Sequence, residues 1–323
     1  MTRERAQGAP WWLRLVRIPA VLVCALTVAG FLGRYWWRFE LASHFRVQYV
    51  LALLPLVLVM LVTRRWRHAA GFGAFLAINL VLVAPILVPY NYNPIMKGGT
   101  RLTTLALNVE HPNERSDLVL AELAGSEPDV VVLQEVSRRW LSELTPFRER
   151  YPHKVELPRS DYFGIALYSK YPILEHRELN YGIVQVPSIV ARLDVKGALL
   201  TVVGTHPLPP VSAFHSEERN LQLQGLADVM ADLEGPVLLL GDLNSTRWSY
   251  HFRQLTQRSG LRPPPGRYRP TWPVGKPWFW IQIDHGLVRD LVVTGSHTGA
   301  DVGSDHYPLY LDVHIPGRSP RAR

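Results

Sequence analysis

The chain has 323 residues, 47% of them hydrophobic, with 35 Lys and Arg against 27 Asp and Glu and a formal charge of +8. The charge is unevenly placed: residues 1–100 hold 11 cations and 2 anions, whereas residues 101–323 hold 24 and 25. This excludes a uniformly basic nucleic-acid binder, and the single Cys24 excludes a disulfide framework or a cysteine zinc site.

Three uncharged stretches fill the N-terminal third, between Arg17 and Arg34, between Arg46 and Arg64, and between His68 and Lys97. Their lengths approach or exceed the roughly 17 residues that cross a bilayer as a helix, and they predict transmembrane helices at about 18–33, 47–63 and 70–88. The first two are short, so Arg17, Arg34, Arg46 and Arg64 are expected to snorkel at their ends, with Trp11, Trp12, Tyr35, Trp36 and Trp37 at interfacial depth. A cleaved signal peptide is the alternative for the first stretch, but no clear small-residue cleavage site precedes Arg34 and further apolar spans follow. With three spans, the N-terminus and second loop carry 7 cations and the opposite side 5, which places residues 101–323 outside the cytoplasm.

After a Tyr/Asn/Pro/Gly linker from Tyr90 to Gly99, strands alternate with amphipathic stretches. Strands are predicted at 102–107, 130–135, 164–168, 189–195, 199–205, 237–240, 283–288, 291–294 and 309–313, with helices at 116–123 and 217–233. The resulting division is an anchor over 1–98, a domain over 99–316 and a basic tail over 317–323.

Several of these strands end abruptly in polar residues. Asn108 follows the first, Gln134-Glu135 the second, and Thr205-His206 a later one. Gly241-Asp242-Leu243-Asn244, Asp284-His285 and Gly303-Ser304-Asp305-His306 complete the series. Each motif alone reads as an ordinary strand end or turn. Together, acids presented at a sheet rim can hold a hard divalent cation.

In that order and spacing, residues 100–315 resemble the endonuclease/exonuclease/phosphatase superfamily, the group of DNase I, abasic-site endonucleases, neutral sphingomyelinases and inositol-polyphosphate 5-phosphatases. The resemblance implies an α/β (α+β) fold, a four-layer αββα sandwich of two mixed sheets, and Mg²⁺- or Mn²⁺-dependent cleavage of a phosphate ester. The N-terminal helices lie outside it and resemble those of a membrane-anchored bacterial branch that includes glycopeptide-resistance proteins. By position, Glu135 matches the metal ligand, with Asn108 and Asp305 completing or orienting the shell. Asp242 matches the residue that orients or deprotonates the attacking water, and Asn244 a donor to a phosphoryl oxygen. His306 matches the essential histidine, with Asp284 holding its ring, and His206 a second histidine of the DNase and sphingomyelinase branches. Tyr162 matches a phosphate-contacting tyrosine. His285, adjacent to Asp284 on a strand, is expected to face the other way.

The chemistry asks for such a set independently, because phosphate-ester hydrolysis needs positioned water and charge neutralisation more than covalent work by the protein. For substrate, the near-neutral domain does not offer the basic groove of a nuclease. Arg262, Arg267, Arg269 and Lys276 are interleaved with Tyr268, Trp272, Trp278, Phe279 and Trp280, which are either packing residues or a rim that meets a bilayer surface while the cations take a lipid phosphate. The expected partners are therefore the lipid bilayer and a phosphorylated lipid or other phosphoester. The alternatives are a membrane-tethered DNase-like nuclease and a non-catalytic phospholipid-binding module.

Overall fold

The computed structural model describes residues 11–88, 98–266 and 268–317. Most of the linker, Arg267 and the tail beyond Gly317 lie outside the described residues. The chain divides into two compact units, Met1–Pro85 and Ile86–Arg323.

The N-terminal unit is helical: α1 (Trp11–Phe31), the short α2 (Trp37–Leu41), α3 (Arg46–Val62) and α4 (Trp66–Leu87). Among the described residues one helix, Trp66–Leu87, is long and apolar enough to cross a membrane, while Leu15–Phe31 and Arg46–Val62 are shorter apolar helices. Ala20, Cys24, Leu53, Val57, Met60, Phe72 and Leu76 pack at the centre of the unit.

Arg46 departs from the sequence expectation. It does not snorkel but is 1% exposed, donating from Nη1 to Thr27 O at 3.0 Å and to Asn79 Oδ1 at 3.3 Å. Asn79 Nδ2 in turn donates to Thr27 Oγ1 at 2.9 Å, and the guanidinium lies 4.7 Å from the Phe31 ring centroid. A charged group can be buried where acceptors and an aromatic face replace its water. Gly30 makes the room, since a Cβ there would collide with Arg46 Nη2.

The second unit is built on two mixed sheets. The first has six strands, here named β1 (Thr100–Asn108), β2 (Val130–Gln134), β3 (His153–Leu157), β4 (Ile165–Ser169), β10 (Val292–Thr298) and β11 (Leu309–Ile315), in the order β10-β11-β1-β2-β4-β3. The other runs β5-β6-β7-β8-β9: β5 (Ile173–Tyr181), β6 (Val186–Val195), β7 (Ala198–Gly204), β8 (Val237–Asp242) and β9 (Asp284–Arg289). Only β1 with β2 and β7 with β8 pair in parallel, and these are the strands whose C-terminal ends carry the polar motifs.

Strand alternation explains the layers. On β2, Val130 and Val132 join Leu238 and Leu240 of β8 in the core between the sheets. Val131 and Leu133 point the opposite way, where they meet Val119 and Leu123 of α5 (Ser116–Ser126), Trp140 of α6 (Arg138–Glu143) and Phe147 of α7 (Thr145–Arg148). Leu239 likewise turns outward to Leu223 and Leu226 of α8 (Ala213–Ala231) and Phe252 of α9 (Tyr250–Ser259). The order is helix, sheet, sheet, helix. Strands covered on both faces read as continuous apolar runs for this reason.

One predicted helix shifts and several elements were not foreseen. The helix expected from 217 begins at Ala213, where Ser212 Oγ accepts from His215 N at 3.1 Å and caps it. β3, β5, α6, α7 and α9 are additional. β5 is an edge strand exposed along most of its length, so it lacks the apolar alternation by which a half-buried strand is read.

Candidate active site

The ends of β1, β2, β7 and β8, the start of β9 and the loop before β11 converge on Asp242. Gly241 sets the geometry of that position. Its φ is +151° and a Cβ would collide with the Thr205 carbonyl oxygen, so only glycine lets β8 run this close to the chain entering His206.

Asp242 is 2% exposed and is reached from three sides. Asn108 Nδ2 lies 3.4 Å from its Oδ2 and 3.0 Å from Glu135 Oε1. His206 Nε2 lies 3.4 Å and His306 Nε2 3.7 Å from Oδ2, while Asn244 N donates to Oδ1 at 2.8 Å. The other nitrogen of His306, Nδ1, lies 2.8 Å from Asp284 Oδ2. Glu135 follows β2 with φ +62°, and its Oε2 accepts from His111 N at 2.7 Å.

Loop contacts fix these groups. Ser304 Oγ donates to Asn108 O at 2.7 Å and accepts from His306 N at 3.0 Å. Thr271 Oγ1 accepts from Asp284 N at 3.2 Å, and Trp272 Nε1 donates to Asp305 Oδ2 at 2.7 Å. Behind the site, α8 turns polar residues inward. Glu218 Oε2 accepts from Ile183 N and Val184 N at 2.7 and 2.8 Å, buried Arg219 donates to Asn244 O at 3.3 Å, and Gln222 Nε2 donates to Ser188 Oγ at 2.9 Å.

The electrostatics follow from these distances. Burial disfavours a charged His306, but Asp284 and Asp242 outweigh it and push the imidazole up to about 10. His206 is also raised, with burial opposing and Asp242 prevailing. Burial pushes Asp242 up, yet the facing His306 and His206 bring it below the usual carboxylate range. Asp284 is raised by burial against the pull of His306. Of that pair the proton belongs on His306, which three carboxylates face, Asp305 Oδ1 being 3.7 Å from Nε2. His285 points away, with Nε2 2.8 Å from Ser245 O and its ring 4.6 Å from Phe252; burial lowers it to about 4.

Asp242, Asp284 and His306 each bring a ligand atom within 4.8 Å of the others. An imidazole held protonated between carboxylates is a poor metal ligand, however, because coordination requires the neutral ring. The donor set better suited to a hard cation is made only of oxygens, from Glu135, Asn108 and Asp305. Glu110 stands beside it and was not foreseen. Its Oε2 accepts from Asp305 N at 3.0 Å, and burial, then the charges of Asp305 and Glu135, raise its carboxyl. Only its place just past the strand end could have signalled it.

Asn108, Glu135, His206, Asp242, Asn244, Asp284, Asp305 and His306 are thus brought together. Asn244 Nδ2 gives one N–H to Pro207 O at 2.9 Å. Tyr162 is at the rim, 53% exposed, its ring 5.2 Å from that of His111. Trp278 and Trp280 do not enter the cluster. Trp278 is 82% exposed on a 3₁₀ turn, Pro277–Phe279, carried between the paired Trp272 and Ile281. Trp280 is half-buried, 6.2 Å from the Tyr307 ring, so the exposed aromatic tip is Trp278 and Phe279.

This two-sheet fold with acids and histidines at its strand ends defines a phosphoesterase-type scaffold. The profile of the endonuclease/exonuclease/phosphatase family matches residues 105–306, more than half of the chain, and the chain belongs to that family. Among solved structures it is similar to D. rerio TDP2 complexed with single-strand DNA product, at 19% identity and a TM-score of 0.55, covering 66% of this chain and 99% of that one. It is also similar to sphingomyelinase C from Streptomyces griseocarneus, at 19% identity and TM-score 0.51, and to a Staphylococcus aureus beta toxin mutant with bound magnesium ions, at 19% and 0.52. In both cases 66% of this chain and 99% of the other are covered. At these identities the likeness is one of fold. No match was found among curated proteins.

Proposed function

We propose that the protein is a membrane-anchored, divalent-metal-dependent phosphoesterase that hydrolyses a phosphate ester or pyrophosphate of a membrane lipid or its head group. The observation that carries this reading is the convergence, from separate strand ends, of Glu135 and Asp242, which Asn108 Nδ2 bridges at 3.0 and 3.4 Å, with the hydrogen-bonded His306–Asp284 pair, whose Nε2 lies 3.7 Å from Asp242. Glu135, Asn108 and Asp305 would hold Mg²⁺ or Mn²⁺, which supplies neutralisation of the phosphate oxygens and of the leaving oxygen. Asp242, kept ionised by two histidines, orients the attacking water and accepts its proton. Asn244 offers its second Nδ2 hydrogen to a phosphoryl oxygen. His306, kept cationic by Asp284, binds the phosphate or delivers a proton to the leaving oxygen, and His206 stabilises ionised Asp242 from the other side.

The lipid assignment is supported by the apolar N-terminal helices, the near balance of charge in residues 101–323, and the exposed Trp278 and Phe279, a composition suited to the bilayer interface. The sphingomyelinase among the similar structures agrees with it. The excess of 7 cations over 5 favours a bacterial inner-membrane protein with an extracytoplasmic catalytic domain. A tethered nuclease is the second reading, favoured by the similarity to TDP2 complexed with DNA. Mg²⁺-dependent turnover by the purified full chain on polyprenyl pyrophosphate, phospholipids and DNA decides between them. Lipid turnover is expected; faster turnover of DNA that survives removal of residues 1–98 would establish the nuclease.

A further inference from the structure

A pocket of about 640 Å³ opens beside Glu135, lined by His111, Ser137, Arg138, Arg139, Arg159 and Asp161 among others. Its position is fixed by His111, whose backbone N donates to Glu135 Oε2 at 2.7 Å, and by Ser137, two residues past Glu135. The volume is in the range of small-molecule sites.

Three arginines, Arg138, Arg139 and Arg159, line it together with Asp161. Two are rigidly mounted. Arg159 is bound to Asp161 through Nε and Nη2 at 2.9 and 2.7 Å and to Gln185 O through Nη1 at 3.3 Å. Arg139 reaches Glu143 through Nη1 at 2.9 Å, and Nη2 donates to His111 O and Asn113 O at 2.7 and 2.9 Å. Those carboxylates offset much of their charge. Arg138 is different: it is exposed and its side chain forms no hydrogen bond or ion pair within the described residues, so its charge is available. It begins α6, whose first turn is capped by Ser137 Oγ accepting from Trp140 N at 3.3 Å, which holds its backbone beside the site.

We propose that this pocket receives a second phosphate of the substrate while the first lies at the Asp242–His306 cluster, so that the preferred substrate carries a diphosphate. The inference rests on the phosphoesterase reading and names its substrate class. A single uncompensated guanidinium facing a pocket suits one compact dianion, because fork-like N–H groups match phosphate geometry. A polynucleotide would require cations spread along a groove.

The test measures binding of methylenediphosphonate and methylphosphonate to the full chain in detergent, by titration calorimetry at fixed free Mg²⁺. Wild-type protein is expected to prefer the diphosphonate by about tenfold, the scale of one charge-assisted contact. Arg138→Gln should remove most of that preference, whereas Lys196→Gln, on the exposed turn after β6, should keep it. Equal wild-type affinities, or an unchanged preference in Arg138→Gln, would overturn the proposal; tighter binding of a short oligonucleotide than of the diphosphonate would overturn its ligand. Turnover of bis(p-nitrophenyl) phosphate separates the two claims. Arg138-dependent binding without turnover on any phosphoester would defeat the phosphoesterase reading and leave the pocket, and turnover without a diphosphonate preference would do the reverse.

Discussion

Asp284→Asn isolates the charge that lies behind His306. The asparagine Oδ1 can still accept from Nδ1 across the 2.8 Å contact, so the ring keeps its orientation while a full negative charge disappears. In the wild type, burial resists protonation and Asp284 and Asp242 overcome it, holding His306 at about 10. An opposite charge at this range is worth about 1–3 pKa units, or roughly 1.4–4 kcal/mol. Asp242 and Asp305, each 3.7 Å from Nε2, remain, and any charge on the neighbouring His206 opposes protonation. The basic limb of kcat/KM should therefore fall from near pH 10 to about pH 7–9 in the variant. The stability linkage has the same sign. A pKa raised on folding contributes fully below the unfolded value of about 6.5 and is lost as pH rises through about 10. The assay is a pH–rate profile on a soluble chromogenic phosphodiester at saturating Mg²⁺, with thermal unfolding at each pH as a control. An unmoved basic limb, or activity that rises with pH in the variant, would mean that Asp284 does not hold the proton on His306.

Other substitutions probe separate parts of the structure. Glu135→Ala and Asp242→Ala should each reduce turnover by at least ~10²-fold; raised Mg²⁺ or Mn²⁺ should partly rescue the first and not the second, as read from metal-dependence curves. Gly241→Ala should cost roughly 2–5 kcal/mol in denaturant unfolding, because it combines a positive φ with a collision against Thr205. Replacing Trp278 and Phe279 by Ser should lower turnover of a bilayer-embedded lipid phosphate far more than that of a short-chain soluble analogue; equal losses would make the tip a packing element. Arg46→Leu should lower the melting temperature of the detergent-solubilised chain, losing contacts worth about 1–3 kcal/mol, and an unchanged melting temperature would contradict the buried network.

The strand-end residues were legible because β2 and β8 are covered on both faces, which makes each a continuous apolar run whose termination in Glu135 or Asp242 is conspicuous. β5 gave no such signal, since its Glu, His and Arg side chains meet water on an edge strand. The inward face of α8 was hidden for the opposite reason: Glu218, Arg219 and Gln222 look like a solvated helix surface until their partners, the 182–184 turn, Asn244 and Ser188, are placed by the fold. Arg46 looked like the charged end of a span because its acceptors, Thr27 and Asn79, are distant in sequence. Parity along β9 did distinguish His285 from Asp284, and the structure turns that ring toward Ser245. Glu110 needed the loop carrying Asp305 to reveal its place.

The most direct test of the central claim is phosphorus NMR of vesicles containing a polyprenyl pyrophosphate, incubated with the full chain and Mg²⁺, for the wild type and for Asp242→Asn. Conversion of the lipid phosphorus signal to product is expected with wild-type protein, with suppression by EDTA and a loss of at least ~10²-fold in the variant. Conversion at the same rate by Asp242→Asn, or by wild-type protein without a divalent cation, would contradict it.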